Sequence, residues 1–217
     1  LNSSAGIIDD IILSRILFDN KEFIFIVYNA SRKKNDEEIF KNIDNKSDFI
    51  FINDRCLLAI QGPLAYQVLK EILDIPNEMN FLDTIELEYM NEKLILSRSG
   101  YTGEDGFELS IPFKISEFFL SNILKNQNAN LCGLGSRDSL RVEAGLSLYG
   151  NEINENISPL QAGLHWALDE ERLYDSSLNG QNILLSQLSN ELEYVKIGIM
   201  AKNKIMLREK INLLDID

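Results

Sequence analysis

Two adjacent carboxylates, Asp9 and Asp10, interrupt an apolar run, Gly6-Ile7-Ile8-Asp9-Asp10-Ile11-Ile12-Leu13. An ionised carboxylate buried without partners is costly, so a residue of this kind protonates, pairs or binds something. If the run is a strand, neighbouring side chains point to opposite faces, and one aspartate faces the side that the isoleucines leave uncovered. A strand end or bulge with both carboxylates in water is the plain alternative, since acidic residues usually stay exposed.

A second group lies in Ser99-Gly100-Tyr101-Thr102-Gly103-Glu104-Asp105-Gly106. Its glycines permit positive backbone angles and close approach of a ligand to the main chain, and Tyr101 offers an aromatic face with a polar tip. A hairpin turn explains the glycines equally well. Glu108 alternates with Phe107 and Leu109, so it points away from them. A third group is Cys132-Gly133-Leu134-Gly135-Ser136-Arg137-Asp138-Ser139-Leu140-Arg141. Glycines ahead of a serine cap give a helix whose first amides are open to an anion, and Arg137 and Arg141 share a face at i,i+4. An exposed Asp138–Arg141 pair at i,i+3, worth little, is the competing account.

These groups need elements to hold them. Residues 7–13 and 22–28 read as strands from their β-branched and aromatic content, joined through Asp19-Asn20-Lys21 into a hairpin. Ser31 reads as the cap of a helix that runs to Ile43, with Ile39, Phe40 and Ile43 on one side. Residues 49–53 and 56–60 read as strands, Gly62-Pro63 as a break and 64–73 as a helix. A hairpin across Asn91-Glu92 joins 84–90 to 93–99. A strand at 107–111 and helices at 115–125 and 136–145 follow. Strands interleaved with helices point to an α+β fold, with mixed sheets and helices packed on them. Near 186–193 the composition turns polar and residues 194–200 read as a fresh strand, which divides the chain into 1–185 and 186–217.

Composition narrows the chemistry. Lys plus Arg number 21 against 34 Asp plus Glu, a formal charge of -13, so the overall field repels nucleic acid and anionic membrane. His165 is the only histidine, and Cys56 and Cys132 have no paired or metal-type spacing, so no metal is expected. Catalysis then rests on carboxylates, tyrosines or a bound cofactor. No stretch of about 18 apolar residues reads as a membrane span. Leu1 opens without a basic or apolar leader, and 210–217 ends without a cap, so both ends read as cut edges of a longer chain.

Taken in order, Gly6-Ile7-Ile8-Asp9-Asp10, Tyr28-Asn29-Ala30, Leu58-Ala59-Ile60-Gln61-Gly62-Pro63, the loop from Gly100 to Glu108 and Gly135-Ser136-Arg137-Asp138-Ser139-Leu140-Arg141 resemble the T-protein family of the glycine cleavage system. Glu143-Ala144-Gly145-Leu146, Leu148-Tyr149-Gly150-Asn151, Ser158-Pro159 and Gly163-Leu164-His165-Trp166 continue the resemblance, which extends to about residue 206.

The resemblance implies a folate-binding aminomethyltransferase fold whose C-terminal β-barrel domain begins within 186–217. It implies transfer of the aminomethyl carbon from the lipoyl arm of H-protein to tetrahydrofolate, giving 5,10-methylenetetrahydrofolate, ammonia and dihydrolipoyl H-protein. By resemblance, Asp10 is the catalytic carboxylate, Asn29 and Tyr101 are pterin-pocket residues, and Glu108 bonds the pterin edge. Arg137 meets the carboxylates of the folate tail, and Trp166 lines the same cavity. The expected compartment is a bacterial cytoplasm or a mitochondrial matrix. The family chain has further segments at both ends, and Ala5 and Ser136 depart from its pattern. Alternative relatives are folate-dependent demethylases on the same scaffold, a non-enzymatic folate binder, whose Lys-Gly-Cys-Tyr type motif is absent here, and an inactive fragment.

Overall fold

The computed structural model describes residues 1–43, 48–174 and 177–202. The expected apolar segment at 210–217 lies outside them.

β1 (Ile12–Phe18) and β2 (Lys21–Val27) form an antiparallel hairpin. Asp19 and Asn20 both take positive φ, 53° and 59°, the conformation that lets a two-residue turn match the strands' twist. β2 leads through a short 3₁₀ turn (Ala30–Arg32) into α1 (Lys33–Ile43). Asp36 and Phe40, one helical turn apart, form its buried stripe.

The main sheet is antiparallel in the order β3 (Arg55–Gln61), β6 (Gly106–Pro112), β5 (Glu92–Ser97), β4 (Thr84–Tyr89). β4 turns into β5 at Met90 and Asn91, again at positive φ, one residue earlier than the sequence reading placed the turn. Phe107, Leu109 and Ile111 of β6 are fully buried against α2 (Ala65–Lys70) and α3 (Phe113–Ile123), with Leu69 and Phe119 at the centre of that core. The other sheet face carries one polar row. Cross-strand register aligns Ala59, Glu108, Ser97 and Thr84, and Thr84 Oγ1 donates to Ser14 of β1 at 3.0 Å. After α3 come α4 (Leu134–Glu143), a 3₁₀ turn (His165–Ala167), α5 (Glu170–Leu173) and α6 (Gln181–Ser189).

The architecture is α+β as expected, with four local corrections. Residues 7–11 are not strand: the Ile7 amide bonds to the carbonyls of Asn154 and Ile157 at 3.1 and 3.0 Å, so it is unavailable to a sheet, and β1 starts at Ile12. Residues 49–53 pack rather than pair, with Phe49 stacked on Phe40 at 5.9 Å and Lys41 over the Phe51 ring at 5.0 Å. Residues 194–200 form no strand; the Lys196 amide bonds to Gln161 O at 2.8 Å instead. Neither serine caps its helix: Ser31 lies inside the 3₁₀ turn that Asn29 opens, Gly133 stands at the N-cap of α4, and the Ser136 hydroxyl donates to Gly133 O at 2.7 Å from inside α4. Helix α6 runs across residue 186, where the composition changes.

Candidate active site

The path to Asp9 and Asp10 is fixed from the N-terminal side. Asn2 Oδ1 accepts from the amides of Ser4 and Gly6 at 2.9 and 2.8 Å, folding residues 2–6 into a tight turn. A side chain at Gly6 would stand 1.7 Å from the carbonyl oxygen of Glu155, so only glycine lets the two backbones meet. Ile7 is then buried with Ile153 and Ala162, which holds the next residues at the end of β2.

Both aspartates converge there on one amide. Asp9 Oδ2 accepts from the Asn29 backbone N–H at 3.0 Å and its Oδ1 from Asn29 Nδ2 at 2.8 Å. Asp10 Oδ1 accepts from the same Nδ2 at 2.8 Å. The expectation that the two carboxylates face opposite sides is therefore overturned, because the segment is irregular rather than a pleated strand. Loss of water raises the Asp10 carboxyl above its ordinary pKa; the Asn29 hydrogen bond opposes this and the charge of Asp9 adds to it.

Behind this pair lies Asp36 of α1, only 3% exposed, whose Oδ2 has no donor among the described residues. Burial first, and then a hydrogen bond to Asp9, raise its pKa to about 6. Arg32 crosses the same region, paired with Glu155 at 2.5 Å and lying over the Tyr149 ring at 5.0 Å.

The second wall is the glycine-rich loop. Arg98 grips Asp105 through two parallel contacts of 2.9 Å and also donates to Met79 O, closing the loop at its base. Gln61 fills the interior: its Nε2 donates to Ser99 O at 3.1 Å and Phe107 O at 3.2 Å. Side chains at Gly100 or Gly106 would overlap the Gln61 amide, so these two glycines make room for a glutamine. Tyr101 donates to Ser147 O at 2.5 Å and lies under the Arg137 guanidinium at 4.8 Å. Burial raises the Tyr101 hydroxyl, with the charge of Arg141 opposing and that of Asp10 adding, so Tyr101 lies within electrostatic reach of Asp10. Glu108 is half-buried on the polar sheet face and accepts from the Ser99 hydroxyl at 2.7 Å.

The expected Asp138–Arg141 pair forms at 2.9 Å, but Arg141 is 3% exposed rather than solvated, and it also binds Glu152 at 2.7 Å and Leu146 O. Asp10 with Asn29, and Tyr101 with Arg137, are brought into direct contact. Trp166 is 75% exposed on its 3₁₀ turn. Two surface concavities, one along α1 and one between β1 and β4, contain none of these six residues. Sequence reasoning missed Asp36, although a carboxylate one turn before Phe40 on an apolar stripe is a readable signal. It also missed the Asp9–Asn29 bonds, which no local pattern announces.

Fold and site together define an α+β domain centred on paired carboxylates that share one amide. The sequence profile described as the GCVT N-terminal domain matches residues 1–172. The probable mitochondrial aminomethyltransferase of Schizosaccharomyces pombe is 35% identical over 208 residues, 93% of this chain and 52% of that protein. The mitochondrial aminomethyltransferase of Homo sapiens is 32% identical over 213 residues, 94% of this chain and 52% of that one. The crystal structure of glycine cleavage system aminomethyltransferase T from Bartonella henselae superposes with a TM-score of 0.76 at 36% identity, over 87% of this chain and 51% of the other. The chain spans about half the length of these relatives. It belongs to the aminomethyltransferase family of the glycine cleavage T-protein. No helix among the described residues is long and apolar enough to cross a membrane.

Proposed function

We propose that the full-length protein transfers the aminomethyl carbon from the lipoyl arm of H-protein to tetrahydrofolate and releases ammonia. The observation that carries this reading is the Asp10–Asn29 contact at 2.8 Å, which joins a carboxylate to an amide within electrostatic reach of the Tyr101 hydroxyl. The side chains suit a pterin: carboxylates at Asp10 and Glu108 match ring N–H donors, Tyr101 offers a flat face, and Arg137 suits the carboxylates of the tail. Tetrahydrofolate supplies the nitrogens that accept the carbon. Asp10, raised above its ordinary pKa, holds and orients the attacking amine and takes its proton.

Trp166, exposed on its turn, stays a ligand contact by resemblance alone. Division at 186 into a folate-binding core and the start of a barrel domain belongs to the same proposal. So does a bacterial cytoplasmic or mitochondrial matrix location, in keeping with the mitochondrial names of several relatives.

The test is ammonia release by the full-length protein. Release should require aminomethylated H-protein and tetrahydrofolate together; equal release without folate, after subtraction of the spontaneous rate, would rule the reading out.

A further inference from the structure

The two arginines of α4 both bear on Tyr101, by different routes. Arg137 reaches it directly, with its guanidinium over the ring at 4.8 Å. Arg141, one helical turn further on, reaches it through the backbone that follows the helix. The Tyr101 hydroxyl donates to Ser147 O at 2.5 Å, and Ser147 stands in the irregular segment between α4 and Tyr149. No helix or strand ladder holds a carbonyl there, so its direction depends on what the adjoining backbone groups bind.

Those groups bind one ion pair. The Ser147 carbonyl and the Leu148 N–H belong to the same planar trans peptide and point in opposite directions, so a grip on either end turns both. Tyr101 holds the oxygen end. Glu152 Oε2 holds the other, accepting from the Leu148 N–H at 2.9 Å and from Arg141 Nη1 at 2.7 Å. Arg141 Nη1 also donates to Leu146 O at 3.1 Å, which fixes the preceding peptide as well. Arg141 is 3% exposed and is steadied by Asp138 at 2.9 Å, so its place is set by burial and by partners on both sides. From outside, Lys196 Nζ donates to Gly145 O at 3.1 Å and to the Ser147 hydroxyl at 2.8 Å.

We propose that Arg141 and Glu152 are positioning residues for the Tyr101 ring, acting through the peptide between Ser147 and Leu148. The proposal rests on the folate-dependent reading above, in which that ring is a flat wall of the pterin pocket.

The geometry divides the work between the two arginines. A tyrosine hydroxyl lies on the long axis of its ring, so the bond to Ser147 O sets where that axis points and leaves rotation about it free. The Arg137 face contact restrains the rotation. The span to be held is short: a side chain at Gly103 would stand 2.9 Å from the Ala144 Cβ, so the loop that carries Tyr101 approaches the end of α4 closely.

The experiment is a double-mutant cycle on the full-length protein, with tetrahydrofolate affinity measured by calorimetry for wild type, Glu152→Ala, Tyr101→Phe and the double variant. Tyrosine labelled with ¹³C at Cζ reports the phenol hydrogen bond by NMR, and the Tyr101 signal is the one missing from Tyr101→Phe. Glu152→Ala should weaken binding about 3- to 10-fold, the worth of one hydrogen bond, and should displace the Tyr101 signal. In the Tyr101→Phe background the same substitution should cost less than about 1.5-fold, because the hydroxyl it acts through is gone. A merely structural Glu152 would cost the same in both. A folded Glu152→Ala with wild-type affinity, with an unmoved Tyr101 signal, or with equal losses in the two backgrounds would overturn the proposal. Should Glu152→Ala not fold, Arg141→Lys replaces the guanidinium fork by a point charge and is read in the same cycle, where equal losses overturn it as well. A wild type that does not bind tetrahydrofolate would instead refute the functional reading, and the Tyr101 signal would still decide whether the ion pair holds the ring.

Discussion

At the residue scale, the site is a chain of carboxylates graded by burial: Asp36 inside, Asp9 between, Asp10 at the surface, with Asn29 joining the last two. Asp10→Asn preserves size while removing charge and basicity. Loss of a positioned base costs about 10²- to 10⁴-fold, so turnover of the full-length variant should fall by that range while its melting temperature stays close to wild type. Wild-type turnover would strip Asp10 of its role. Asp36 gives a prediction of opposite character, about stability. Its folded pKa of about 6 lies above the ordinary 3.8, so between those values the folded chain keeps a proton that the unfolded chain has lost. The stabilisation is therefore complete below about pH 4 and is lost as pH rises through 6, a change of about 3 kcal/mol. Asp36→Asn removes the titration. Urea unfolding should show the variant gaining on wild type at pH 7.5 and not at pH 4; parallel pH profiles would show that Asp36 has no raised pKa.

At the element scale, the two kinds of glycine contact differ in what they can yield. A methyl group at Gly6 meets the Glu155 backbone, which cannot step aside without breaking the Ile7 hydrogen bonds. A methyl group at Gly106 meets the end of the Gln61 side chain first, and that side chain can rotate away at the expense of its two hydrogen bonds. Gly6→Ala should thus cost about 3 kcal/mol and Gly106→Ala about 1 to 2 kcal/mol in denaturant unfolding, and the reverse order would contradict this account. Gln61→Ala combined with Gly106→Ala should be less costly than the sum of the two. The same contrast marks what the sequence made legible. Period-two alternation placed Phe107 and Leu109 in the core and Glu108 on the opposite face, because a half-buried strand writes its faces into its composition. Turn chemistry likewise announced the hairpin at Asp19 and Asn20. Residues 7–11 and 194–200 have strand-like composition, yet their backbones bond to distant loops, and pairing partners that far away leave no local trace. The folate contacts assigned to Glu108, Arg137 and Trp166 came from resemblance to a family, and composition alone would not have produced them.

At the scale of the whole molecule, the described chain has more than one core. The main sheet with α2 and α3 encloses the first. The others are built from the first residues of the chain packed against its last described third: Ala5 with Leu173 and Leu184, and Ile7 with Ile153 and Ala162. The catalytic candidate stands where these parts meet. Tyr101 and Glu108 ride on the main sheet, whereas Asp9 and Asp10 follow directly from Ile7 and are placed by the smaller core. Among the described residues these clusters share no buried residue with the core of the main sheet, so they are expected to open as a unit without it. Ile153 is fully buried in that unit, and Ile153→Ala should destabilise it by about 2 to 5 kcal/mol. Native-state hydrogen exchange on the full-length protein should then quicken at the amides of residues 5–8 and 150–164, while those of β5 and β6 keep wild-type protection. Tetrahydrofolate-dependent turnover should fall as well, although Ile153 lies in a core cluster apart from every residue assigned to chemistry, because the backbone that carries Asp10 would lose its anchor. Uniform acceleration across sheet and N-terminal segment would mean that the two parts unfold as one, and the placement of Asp10 would then be a property of the whole fold.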